Sequence, residues 1–150
     1  ELAGAGAMRG GSPDARFRTL AVLALALAAG PTLFAALVLA LDLGTRTLDP
    51  GLITPVWAGV AAASVAGAVV LWRSRVQPML PGLGAPVPRE GVDTERLRTT
   101  LVILWALLEG QALFGVVAYY LTLDLVPLAG LPVAWVGILL GRPRRDWFGR

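Results

Sequence analysis

The stretch TTLVILWALLEGQALFGVVAYYLTL, residues 99–123, decides the architecture. It carries one carboxylate, Glu109, and one amide, Gln111, in a run that is otherwise apolar and long enough to cross a hydrocarbon core of roughly 30 Å at about 1.5 Å per residue. Three more runs have the same character, over 20–41, 51–72 and 125–141, and Asp93 or Thr94 supplies an N-cap that extends the third to 94–123. The sequence thus predicts an all-α integral membrane protein of four transmembrane helices. The fourth run holds Pro127 and Pro132, so it is expected to be short, tilted or irregular at its outer end, with a re-entrant segment as the competing arrangement.

Composition agrees with that reading. Only 15% of the 150 residues are charged and the mean hydropathy is +0.69, where a soluble domain carries about 25% charge. There is no cysteine and no histidine, which removes disulfides, thiolate and imidazole metal sites and the common haem ligands, so no cofactor and no metal is expected. No nucleophile with a base, no paired acids and no phosphate loop stand out, so the chain does not read as an enzyme. All thirteen basic residues are arginine, a bias that with the Ala, Leu, Gly and Pro usage points to a GC-rich bacterial gene.

Arginine distribution sets the orientation, because basic residues resist translocation. Arg9, Arg16 and Arg18 precede the first span; Arg73, Arg75, Arg89, Arg96 and Arg98 lie between the second and third; Arg142, Arg144, Arg145 and Arg150 follow the fourth. The two remaining connections, Asp42 to Pro50 and around Asp124, hold only Arg46. Both termini and the middle loop are therefore expected in the cytoplasm of a bacterial inner-membrane protein, with the arginine clusters on anionic lipid headgroups rather than on nucleic acid. The domain plan is a flexible tail over 1–19, one membrane domain over 20–141, a proline-rich loop over 73–93 and a basic tail over 142–150. The run at 20–41 is too long for a signal-peptide core of about 7–15 residues and reads as a retained span.

The first and third spans match in part at an offset of 80, pairing Arg18-Thr19 with Arg98-Thr99 and Gly30-x-x-Leu33-Phe34 with Gly110-x-x-Leu113-Phe114. Duplication of a helix pair is a plausible origin. Gly30-Pro31 marks an expected kink in the first span.

Glu109 falls about 15 Å into the bilayer, close to its midplane. Protonating an ordinary glutamate at pH 7 costs roughly 3.7 kcal/mol, less than burying an unpaired carboxylate in hydrocarbon, and no arginine lies in any span to pair with it. Glu109 is therefore expected to be neutral. Depth arithmetic puts Gln111, Ser64 and Thr32 within about one helical turn of its level, so these four form the candidate polar or proton site. Gly59, Ala63 and Gly67 in the second span, with Gly110 and Gly115 in the third, are the candidate helix-packing positions.

Ala106 to Ala118, ALLEGQALFGVVA, resembles the carboxylate-bearing helix of the proteolipid (c) subunits of rotary ATP synthases. That local resemblance implies proton carriage by Glu109. The wider pattern, an arginine-rich approach, WALLEGQALFG, a tyrosine pair and a terminal Arg-Pro, resembles small uncharacterised bacterial four-span membrane proteins and implies no activity. Two functions follow as expectations: an accessory or structural subunit packing on other integral membrane proteins, or a proteolipid-like or small-transporter protein using Glu109 for proton coupling.

Overall fold

The computed structural model describes residues 13–44, 47–79 and 92–142, and every regular element among them is helical. The four α-helices are α1 (Pro13–Ala40), α2 (Pro50–Leu71), α3 (Val92–Thr122) and α4 (Gly130–Leu140). Residues 1–12, Arg46, most of the proline-rich loop and the basic tail from 143 lie outside the described residues.

Three segments, Phe17–Ala40, Pro50–Met79 and Glu95–Thr122, are long and apolar enough to cross a membrane. The fourth falls short of the span expected over 125–141. It opens as a 3-10 turn, Val126–Ala129, and only 11 residues of α-helix follow, about 16 Å. Proline explains the division: Pro127 has no N–H to give and starts the tighter turn, whereas Pro132 sits in the first turn of α4, where a missing N–H has no partner to lose.

Other boundaries differ for local reasons. α1 starts at Pro13, inside the segment expected to be a tail, because a first-turn proline is already set to a helical φ. It continues as α-helix through the buried Pro31. Beyond α2 the chain stays helical where an irregular loop was expected, as a π-helical turn over Trp72–Val76 and a 3-10 turn over Gln77–Met79. Val76, wholly buried, anchors this extension in the core.

α3 is the central helix and packs on the other three; α1 and α4 also touch, while α2 packs chiefly on α3. Three consecutive residues display this arrangement, each about 100° further round the axis. Leu107 meets Gly67 of α2, Leu108 meets Gly137 of α4, and Glu109 meets Gly30 of α1.

On α1, side-chain size is distributed inside out relative to a helix of a water-soluble bundle. The inward stripe of α1 is Leu20, Ala24, Ala28, Pro31, Ala35 and Val38, spaced by three and four, whereas its outward face carries Val22, Leu25, Leu33 and Leu37. Small residues inside let backbones approach closely, and large apolar residues outside suit a hydrocarbon solvent.

The end of the bundle that holds the α1–α2 and α3–α4 connections is closed by polar contacts. Asp49 caps α2 through the Gly51 N–H at 2.9 Å, with Pro50 at the first helical position. The N–H groups of Thr47 and Leu48 donate to the Leu121 carbonyl, tying the first connection to the end of α3. Asp42 and Leu123, just past α1 and α3, both take positive φ, the conformation in which a helix commonly stops.

Asp124 bridges the second connection to α2: its carboxylate accepts from the Thr54 hydroxyl at 2.6 Å and from the Val126 N–H at 3.1 Å. These bonds, the Thr54 one first, hold the carboxyl below the ordinary aspartate value against a smaller opposing effect of desolvation. A depressed carboxyl contributes stability that is complete above its unfolded value and disappears as pH falls through the lower folded one. Thermal melting in detergent should therefore be flat from pH 7 to about 5 and fall below about pH 4, and Thr54→Val or Asp124→Asn should remove part of that acid loss. An unchanged acid limb in both variants would reject the assignment.

Candidate functional site

The residues that sequence depth places at one level are separated around the helix axes. Glu109 on α3 points toward α1, its Oε1 3.5 Å from where a Cβ on Gly30 would lie. It is part-buried, and no hydrogen bond reaches it among the described residues. Thr32 is engaged elsewhere: its hydroxyl donates to the Ala28 carbonyl at 3.0 Å and accepts from the Trp135 indole N–H at 2.8 Å, joining α1 to α4. Ser64 on α2 is part-buried. The four are not brought into one hydrogen-bonded cluster.

Gln111 faces the opposite way from Glu109 and is 1% exposed. Its Nε2 donates to the Gly130 carbonyl at 2.9 Å, locking α3 to the start of α4, and its Oε1 has no partner. A Cβ on Gly130 would come within 2.9 Å of that oxygen, so glycine is what admits the amide.

The packing candidates divide into two groups. Gly115 is buried, and a Cβ there would overlap the Pro127 carbonyl and approach Trp57 Nε1 at 2.9 Å; Gly67 lies against Leu107 of α3. Gly59 and Gly110 have open space, with nothing within 4 Å of an added Cβ, and Ala63 is exposed beside Gly59. The small-residue ladder of α2 is thus turned outward over most of its length.

Three contributors escaped sequence reasoning. Trp135 holds Thr32, while Trp57 and Trp105 are buried with indole N–H groups that find no acceptor. A readable signal existed on the facing helix, since Gly130, Ala134, Gly137 and Gly141 repeat at three and four and form the face of α4 that lies on α3.

Taken together, the polar groups join helices: Gln111 to α4, Thr32 to α4, Asp124 to α2. Glu109 and Ser64 make no hydrogen bond among the described residues, and of the two only Glu109 carries an ionisable group. No known protein family, curated protein or solved structure matches the chain.

Proposed function

We propose that this chain is a non-catalytic accessory subunit of a bacterial inner-membrane complex, crossing the bilayer with both termini and the loop before α3 in the cytoplasm. The exposed small-residue face of α2 carries the reading. In its most apolar window only 11% of α2 is buried, against 50% of α3, and the uncovered residues include Gly59, Ala62, Ala63 and Ala66. A membrane helix gains little by shielding leucine from lipid but much from close backbone approach, so a second helix packs best on such a face.

The test is placement-specific cross-linking in the native membrane. A photoreactive residue at Ala63 should yield one discrete heteromeric adduct, whereas the same residue at Ile103, exposed on α3, should not. Ala63→Leu should abolish the adduct and leave the melting temperature of the purified chain unchanged. A free monomer in mild detergent, with no co-purifying protein, would overturn the proposal.

A second reading is favoured by one observation, the uncommitted Glu109 carboxyl beside Gly30. A part-buried acid with no hydrogen bond among the described residues, at the mid-membrane depth that counting along the span gives, is the kind of group that exchanges a proton. A hydrophobic carbodiimide should then modify Glu109, and Glu109→Gln should abolish proton uptake in liposomes while the fold persists. No modification at Glu109 would end that reading.

A further inference from the structure

An apolar groove of about 330 Å³ opens between α2 and α4 at the end nearer residue 73, within the roughly 300–1,000 Å³ typical of small-molecule sites. Val65 and Val69 form one wall, Val136 and Leu140 the other, and Leu108 of α3 the floor. Its single charged lining group is Arg73, in the π-helical turn directly after α2. Arg73 is exposed and makes no ion pair among the described residues. Trp72 lines the groove beside it, and Arg142 follows Gly141 at the end of the facing wall.

A narrow apolar channel with an unpaired cation at one end matches an amphiphile with an anionic head. We propose that the groove holds an acyl chain of one anionic phospholipid, whose phosphate pairs with Arg73. Two features favour a lipid over a helix. The walls at the opening are branched, Val65 and Val69 against Val136 and Leu140, which hold a second backbone away, and the Gly137 of the lining lies against Leu108 rather than open to a neighbour. A helix laid over Arg73 would also need an acid of its own, whereas a phosphate supplies the charge at the headgroup level where arginine and tryptophan naturally sit.

The inference needs the chain to be in a membrane but is independent of the partner proposed above. The full chain, delipidated in mild detergent, is titrated with phosphatidylglycerol or with phosphatidylcholine of identical acyl chains, and bound lipid is counted by native mass spectrometry. One phosphatidylglycerol should bind per chain, with about fivefold preference over phosphatidylcholine, the effect of one arginine near the headgroups. Arg73→Gln should abolish the preference and keep phosphatidylcholine binding; Val136→Trp, which fills the groove from an exposed position, should lower the binding of both. Arg18→Gln, on α1, should match the wild type. Equal binding of the two lipids by the wild-type chain, or a preference that survives Arg73→Gln, overturns the proposal, as does a cross-link from position 136 to another protein or a second copy. Failure of the chain to enter vesicles at all would instead reject its membrane location, and with it the groove's occupant.

Discussion

Gly115→Ala should destabilise the protein by about 1–3 kcal/mol, the range for forcing a methyl into a filled core, and Gly115→Leu should prevent α2, α3 and the turn before α4 from closing on one another. A Cβ on Gly115 overlaps the Pro127 carbonyl and approaches the Trp57 indole nitrogen. Neither neighbour can yield cheaply: one is backbone in the 3-10 turn before α4, the other a large ring 8% exposed. The control lies on the same helix. Gly110 has open space around it, so Gly110→Ala should be stabilising by about 0.5–1 kcal/mol through lost backbone freedom in the unfolded chain. Two identical substitutions five residues apart should thus shift thermal unfolding in opposite directions. If Gly115→Ala melts at or above Gly110→Ala, the close contact of α2, α3 and the turn before α4 is wrong.

That contrast also separates what the sequence holds from what it hides. Positions along the helix axes were legible, because length and depth need only a count: the helices, the connections at 42–50 and around Asp124, and the irregular start at Pro127 follow from composition and spacing. Positions around the axes were not. Every long helix is apolar on all sides, so no polar face marks the exterior, and the usual amphipathic signal vanishes. Depth arithmetic put Thr32 and Gln111 level with Glu109, yet Thr32 turns to Trp135 and Gln111 to Gly130.

Small-residue spacing carries the same ambiguity. It marks a face that permits close approach without saying which helix approaches. The stripes of α1 and α4 are used inside the chain, whereas the more regular ladder of α2 looks outward. The plainest packing face of the chain is left on its own exterior, and this is why the α2 face, rather than Glu109, carries the proposed function.

Gln111→Glu should be the most damaging single-atom-scale change at mid-depth. The side chain keeps its shape but loses the Nε2–H that satisfies the Gly130 carbonyl, 2.9 Å away. An ionised carboxylate would set oxygen against oxygen in a site 1% exposed, so the variant folds as the neutral acid, which alone can donate. Holding an ordinary glutamate protonated at pH 7 costs roughly 3.7 kcal/mol, and that cost falls by about 1.4 kcal/mol for each pH unit of acidification. The loss should therefore be about 3–4 kcal/mol at pH 7 and less than about 2 at pH 5, a pH dependence opposite in sign to the Asp124 acid loss. Gln111→Met removes the bond without adding charge and should cost only about 1–2 kcal/mol, independent of pH, because a hydrogen bond between membrane helices is worth about 0.6–1.7 kcal/mol. Unfolding followed in detergent at pH 5 and pH 7 separates the two. Equal losses for Glu and Met at both pH values would mean that the amide only fills space, and that α3 and α4 are held by Leu108 on Gly137 rather than by the Gln111 bond.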